Sequence, residues 1–396
     1  MLEDVNVALG ITGSIAAVRT VEFVHELRRR GANVRAVMTP EAANIIHPWS
    51  VEFATETDVV TEITGAVEHV DLCGVEGWAD VYLISPATAN TVGKMASAVD
   101  DTPVTTCATT ALGSGLPVVV VPAMHKPMYD HPGVLEAIEQ LESWDVDFVE
   151  PRIEEGKAKI ASDEAIVTGV ARAVDDRPLG GQHVVVTAGA TAESIDPVRV
   201  LTNRASGATG RAVARACYVR GADVTLVHGA LDSGSAGLIA GADQDVPYAT
   251  VETVESAAEM LAAVEDAVGD ADALVSAAAI SDYTVETADE KIRSGRESLT
   301  LELEATPKLL DTVREVHPEL PMVGFKAETT GDDDAMIERA RELRDRVGLA
   351  FVVANDASVM GDAETRALLV DDNVDEVRGE KSALGTAVAD GLASRL

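Results

Sequence analysis

Short, almost wholly apolar runs, each followed by an amphipathic stretch, recur along this chain, and that alternation constrains the fold more than any other feature. VNVALG, NVRAVMTP, ADVYLISPAT, LPVVVVPAM and VDFVEP come first, with a helical pattern after each. The first such helix carries Val18, Val21, Val24 and Leu27 on one stripe. A strand apolar on both sides must be covered on both sides, so helices between such strands imply a parallel sheet wound in both directions. The pattern then restarts in QHVVVTAGA, ADVTLVHGA, DALVSAAAI, PMVGFKAET and LAFVVANDAS, and TRALLVDDN with the polar strand after it reads as a late hairpin before a C-terminal helix. The expected class is α/β, with two doubly wound, mostly parallel-sheet domains. No helix or strand pattern crosses the polar stretch Asp175-Asp-Arg-Pro-Leu-Gly-Gly181, which places the domains at 1–178 and 182–396. A chain of 396 residues is long enough for both.

Charge narrows the partners. With 31 basic against 67 acidic residues the net charge is −36, spread along the whole length, which disfavours nucleic acid. Self-repulsion on that scale suits a salt-rich cytoplasm, where molar salt shortens the screening length to about 3 Å. No run of apolar residues is long enough to span a membrane, and MLEDVNVALG has acids where a secretory leader has a basic flank, so a cytoplasmic location is expected. Cys73, Cys107 and Cys217 are isolated in sequence and form no disulfide framework or paired metal motif.

The candidate chemistry of the first half gathers at strand ends. Gly13, Ser14, Ile15 and Ala16 lie where a strand turns into a helix, so their N–H groups could hold an anion; any tight strand-to-helix turn also favours glycine. Thr39, and the run Ser85, Pro86, Ala87 and Thr88, fall at the carboxyl edge where open sheets bind ligands, or else they simply cap helices. His69 is the best acid-base candidate of this half, although a lone histidine is more often structural.

Taken in order, His69-Val-Asp-Leu, Trp78-Ala-Asp, Ser85-Pro-Ala-Thr-Ala-Asn90 and Pro122-Ala-Met-His-Lys-Pro-Met128 resemble the flavin-containing cysteine decarboxylases. The whole chain resembles the bifunctional phosphopantothenoylcysteine decarboxylase / phosphopantothenate-cysteine ligase family of coenzyme A synthesis. The resemblance implies a flavodoxin-like first domain and a Rossmann-like second one. It implies FMN held by Gly13 to Ala16, Thr39, Ser85 to Thr88 and Thr105-Thr106, with His69 as the catalytic histidine. Flavin oxidation of the cysteinyl thiol would supply the electron sink that loss of CO₂ needs. Two departures stand out. His125 occupies the place of the asparagine that clamps the substrate carboxylate, Met128 being retained, and Glu154-Glu-Gly-Lys157-Ala-Lys159 lacks the flap cysteine that many members use as proton donor. Lys157 or Lys159 could substitute, or the flap is merely solvated.

In the second half the loop Thr202 to Gly210 sets amides, hydroxyls and one guanidinium before a helix, a phosphate-friendly arrangement without a dinucleotide fingerprint. Asp282 at a strand end could hold Mg²⁺ or cap a helix, and Lys291 could neutralise phosphate. The same family resemblance extends over Asn203-Arg-Ala-Ser206-Gly207, Ala278-Ala-Ile-Ser-Asp282-Tyr, Glu290-Lys291-Ile-Arg, Thr306-Pro307-Lys308, Gly324-Phe325-Lys-Ala-Glu-Thr and Ala354-Asn-Asp. It implies CTP-dependent activation of 4′-phosphopantothenate to an acyl-cytidylate that cysteine attacks. Asn203 would stabilise that intermediate, and Ser206 and Gly207 would touch substrate. Asp282, also the magnesium ligand, and Lys291 would serve the nucleotide and its phosphates, Phe325 would border the base, and the backbone of Ser276, Ala277, Ala278, Thr306, Pro307, Lys308 and Leu309 would read it. Lysines that other members carry on the following helix are Leu343 and Val347 here, with Arg341, Arg344 and Arg346 nearby, so Lys326 and Lys308 become candidates for the missing charge. The resemblance further implies a homo-oligomer built from trimeric flavin domains and dimeric ligase domains. The alternative is a ligase whose first domain binds FMN in a non-catalytic, regulatory role.

Overall fold

The apolar runs of the first half become the parallel strands of one sheet. In a computed structural model, residues 1–154, 157–229, 246–293, 298–328, 332–356 and 364–396 are described, and they divide into two compact units, Met1–Asp175 and Asp176–Leu396.

The first unit contains strands β1 (Asn6–Ile11), β2 (Asn33–Met38), β3 (Val81–Ala87), β4 (Val118–Pro122), β5 (Met124–His125), β6 (Val146–Phe148), β7 (Arg152–Glu154) and β8 (Lys157–Lys159). Its helices are α1 (Thr20–Arg29), α2 (Pro40–Ala43), α3 (Pro48–Thr55), α4 (Glu68–Cys73), α5 (Ala89–Ala96), α6 (Pro103–Ser114), α7 (Lys126–Tyr129), α8 (Pro132–Glu142) and α9 (Asp163–Ala173). The main sheet runs β2-β1-β3-β4-β6 with every pair parallel, so the strand order reverses between β1 and β3. β3 and β4 are buried along their whole length, as strands covered on both faces must be. Gly10 is required by close packing: a Cβ there would lie 2.6 Å from the hydroxyl of fully buried Tyr82, which donates to Val104 O at 2.9 Å.

One local expectation fails. The first helix is preceded by a short 3₁₀ turn, Ile15–Arg19, and the buried stripe of α1 is Thr20, Phe23, Val24 and Leu27, whereas Val18 is exposed. The turn is tighter than an α-helix and rotates Val18 off the core face. A second finding concerns the cysteines. Cys73 and Cys107, far apart in sequence, meet inside the core, and their thiols interact; that contact and burial push the Cys73 thiol far up, so Cys73 is no thiolate at neutral pH.

The second unit contains β9 (His183–Gly189), β10 (Ala192–Asp196), β11 (Arg199–Thr202), β12 (Asp223–Gly229), β13 (Thr250–Val254), β14 (Ala273–Ser276), β15 (Tyr283–Val285), β16 (Leu303–Ala305), β17 (Met322–Glu328), β18 (Phe351–Asp356), β19 (Glu364–Val370) and β20 (Val374–Glu380). With them run α10 (Ala208–Val219), α11 (Ala257–Ala267), α12 (Leu309–Val316), α13 (Asp333–Val347) and α14 (Lys381–Ala393). The sheet order is β13-β12-β9-β14-β17-β18-β19-β20, parallel as far as β18 and antiparallel over the last two pairs, which gives the late hairpin. Cores form on both faces, one under α10 and α14, the other under α11, α12 and α13. The stretch joining the units is not all solvated: Leu179 is fully buried in the second unit and its N–H donates to Arg220 O at 2.8 Å.

Candidate functional site

In the first unit, hydroxyls tie together the carboxyl ends of β1, β3 and β4 on either side of the order reversal. Thr12 Oγ1 donates to Pro86 O at 2.7 Å and accepts from Thr88 N at 3.1 Å, and Ser14 Oγ donates to Ala123 O at 2.9 Å. Thr12 is the residue that sequence reasoning missed; a hydroxyl placed directly after an apolar strand was the available signal. Of the candidate anion donors, Ser14 N–H goes to Thr12 O at 2.8 Å and Ala16 N–H to Ser14 Oγ at 3.4 Å, whereas Gly13 N–H has no acceptor among the described residues. A Cβ on Gly13 would sit 2.5 Å from that of Glu41, so the backbone can run here only as glycine. Thr39 and Thr88 cap α2 and α5 through Ala42 N and Thr91 N. Ser85, Pro86 and Ala87 are buried in the end of β3.

Thr105 and Thr106 use their hydroxyls on the start of α6. Thr105 forms a reciprocal capping box with Thr102, and Thr106 Oγ1 donates to the carbonyls of Asp100 and Thr102. α6 descends from the carboxyl edge toward the start of β4. Ser114 at its foot donates to Cys73 O at 2.7 Å, which ties the end of α4 to the foot of α6. His69 Nδ1 is buried and has no hydrogen-bond partner among the described residues. The residue before that helix start, Val67, sits at φ 54°, a left-handed conformation that is strained for a β-branched side chain.

A small sheet, β5-β8-β7, pairs Met124 with Ala158 and His125 with Lys157, so the flap strand lies along the strand that leads to Met128. His125 and Met128 are exposed and Lys159 is partly buried. The tip of the flap and the side chain of Lys157 lie outside the described residues.

In the second unit the crevice opens between β9 and β14, where the strand order reverses again. Asn203 Nδ2 donates to Ala279 O at 2.7 Å, and Ala278 N donates to Thr187 Oγ1 at 3.1 Å. Thr306 anchors its loop on the same turn through Ser281 O at 2.6 Å and Asp282 O at 3.0 Å. The structure therefore brings Asn203, Ser276 to Ala278, Asp282 and Thr306 to Lys308 together. Leu309 is different: it is buried in the core under α12. Asp282 is ion-paired with Lys308, and no cluster of three or more metal-ligating side chains occurs among the described residues. Lys291 is exposed. Phe325 is partly buried against the core, and Asn355 Oδ1, near the end of β18, is buried without a partner among the described residues. Leu343 packs on the core and Val347 is buried; Arg344 is bound to Asp345 and Asp372, and Arg346 to Asp311, so neither arginine supplies a spare charge.

Gly207 (φ 74°) opens α10 in the left-handed region, and a Cβ there would lie 2.6 Å from His228 Nε2 and 2.8 Å from Gly189 N. His228, also missed from sequence, is buried; its Nδ1 lies 2.9 Å from Gly229 O and its Nε2 2.9 Å from Arg211 Nη1. A carbonyl takes a proton and a guanidinium gives one, so the imidazole is neutral with its proton on Nδ1. Burial, then the Arg211 charge, holds it below the ordinary histidine range. Arg211 also donates to Ser206 O at 2.9 Å, which fixes the loop around Gly207.

Residues 1–175 match the family model described as Flavoprotein, and residues 179–396 match DFP, the DNA/pantothenate metabolism flavoprotein C-terminal domain. The chain is 48% identical over 373 residues to the coenzyme A biosynthesis bifunctional protein CoaBC of Thermococcus kodakarensis, covering 92% of this chain and 88% of that one. It is 33% identical to the protein of the same name from Methanocaldococcus jannaschii, covering 98% and 94%, and 34% identical to that of Bacillus subtilis, covering 91% and 88%.

Proposed function

The chain belongs to the CoaBC family of bifunctional coenzyme A biosynthesis proteins, and on that footing we propose that its second unit joins 4′-phosphopantothenate to cysteine with CTP and its first unit decarboxylates the product with FMN. The observation that carries this reading is the match, across 92% of the chain, to a relative named as a bifunctional coenzyme A biosynthesis protein.

The first site fits the flavin. Its strand-end hydroxyls are committed to shaping the loops, Gly13 N–H is left for an anion, and the orphaned Nδ1 of His69 calls for a partner that the described residues do not provide. FMN would be held by the Gly13 to Ala16 turn, Thr39, Ser85 to Thr88 and the Thr105-Thr106 segment. When bound it supplies the electron sink for decarboxylation. His69 manages protons at the cysteinyl sulfur, His125 donates to the substrate carboxylate beside Met128, and Lys157 or Lys159 stands on the flap as proton donor in place of cysteine.

At the second site chemistry is chiefly positioning and charge neutralisation. Asn203 steadies the acyl-cytidylate, Lys291 and Lys308 meet the phosphates, and Phe325 borders the base. Asp282 meets an Mg²⁺ carried in on those phosphates, which is the usual way that ion is bound.

Ile15, Val18, Trp49, Phe53, Val67, Val70 and Val75 are exposed on the first unit. Self-association would cover them, the flavin units forming trimers and the ligase units dimers as the family resemblance implies. Location in the cytoplasm accords with the acidic composition. The full chain, incubated with 4′-phosphopantothenate, cysteine and CTP, tests the reading: 4′-phosphopantetheine and CO₂ are expected, and ligation without any CO₂ supports instead a regulatory first unit.

A further inference from the structure

Beyond β15 (Tyr283–Val285) the stretch leading to Lys291 has no regular structure, yet it is laced along β10. Thr284 Oγ1 donates to Glu193 Oε2 at 2.9 Å, Thr287 Oγ1 to Ser194 O at 2.8 Å, and Ala288 N to Ile195 O at 3.0 Å. At the far end Ile292 is gripped on both sides of its backbone: its N–H donates to Asp196 Oδ2 at 3.1 Å, and its carbonyl accepts from Arg199 Nη1 at 3.2 Å. The Asp196 side chain is fully buried. It also accepts from Val198 N at 2.8 Å and Arg199 N at 2.9 Å and is ion-paired with the Arg199 guanidinium.

We propose that Asp196 is a positioning residue for the ligase reaction, which with Arg199 pegs the Ile292 backbone and so fixes where the adjacent Lys291 can reach. The turn at 196–199 needs the carboxylate for Val198 and Arg199 alone; the reach to Ile292, 96 residues away, does nothing for that turn. Lys291 is exposed, and its ammonium has no hydrogen bond or ion pair among the described residues, so its reach is set by where its Cα is held. Burial alone would raise the Asp196 carboxyl, but the Val198 and Ile292 N–H groups and Arg199 outweigh it and hold it below the usual range, so the peg is charged at neutral pH.

The inference rests on the reading that Lys291 serves the nucleotide phosphates, and the experiment separates the two. Full-length wild type, K291Q, D196N and the double variant are compared by pyrophosphate release with CTP, 4′-phosphopantothenate and cysteine. K291Q and D196N are each expected to raise KM for CTP about tenfold, with KM for cysteine within about twofold. In the double variant KM for CTP should not exceed that of K291Q alone, because the peg acts through the lysine. If K291Q raises KM for CTP and D196N does not, or if the two effects multiply, the positioning role is overturned while the role of Lys291 stands. If K291Q changes nothing, the reading of Lys291 fails and the inference with it. R199Q keeps the carboxylate while removing the second grip and the ion pair to Asp196, so it serves where D196N does not fold: the same signature at about threefold supports the peg, and an unchanged KM overturns it.

Discussion

The two sheet edges are built by opposite strategies. In the ligase unit the site residues bind one another: Asn203 to Ala279, Thr306 to Ser281, Asp282 to Lys308, and β10 to the stretch before Lys291. In the flavin unit hydrogen bonds fix the loops, but His69 Nδ1 and Gly13 N–H are left open among the described residues, and Ile15, Val67 and Val70, close to them in sequence, stay exposed. The first arrangement braces its candidate residues against one another; the second leaves polar groups facing what we propose binds there. A site closed on itself tolerates loss of ligand but not of an internal contact, and an open site behaves the other way round.

H69Q should give the largest effect. Losing a general acid-base group costs about 10² to 10⁴ in rate, so CO₂ release should fall by that much with pyrophosphate release unchanged; equal loss of both would erase the distinction between the sites. Next comes G207A, which forces a side chain into a left-handed backbone and against His228. A destabilisation of about 2 kcal/mol is expected in thermal melts, with ligase turnover falling and decarboxylation of supplied phosphopantothenoylcysteine retained. Y82F removes the hydrogen bond that the Tyr82 hydroxyl gives to Val104 O in the first core, with about 1 kcal/mol lost, and the same melts should show it without any change in ligation.

The smallest effect concerns pH. His228 has its folded pKa below its unfolded value, so the stability it contributes is full above about pH 6.5 and declines as pH falls below that. Because the ring is partly screened by solvent, wild type should lose roughly 2 °C more than H228Q between pH 7.5 and 5.5. Equal losses would show that the neutral imidazole does not matter to the second unit.

Much of the fold was legible because strands such as VYLISPA and VVVVP are apolar on both faces, a pattern that only a covered parallel sheet accommodates. The β10-β11 hairpin was not, since AESID and RVLT are short and mixed in polarity; the Asp196-Pro197 pair between them, a turn starter, was the signal passed over. The contacts of His228 with Arg211, of Cys73 with Cys107 and of Thr12 with Pro86 escaped for a different reason: they join residues with no local periodicity in common, and only the folded sheet brings them together. At the sites, residues that sit in loops directly after strands were legible, while Thr105 and Thr106 turn their hydroxyls to a helix start that the capping pattern at Thr102 explains.

The central claim, that one chain carries two successive reactions in two separate units, is tested most directly by feeding carboxyl-labelled cysteine with 4′-phosphopantothenate and CTP to the FMN-loaded wild type and to H69Q. Wild type should release the label as CO₂, and H69Q should accumulate labelled phosphopantothenoylcysteine at the wild-type rate of ligation. Label retained in the product by wild type, or released as CO₂ equally by H69Q, would contradict it.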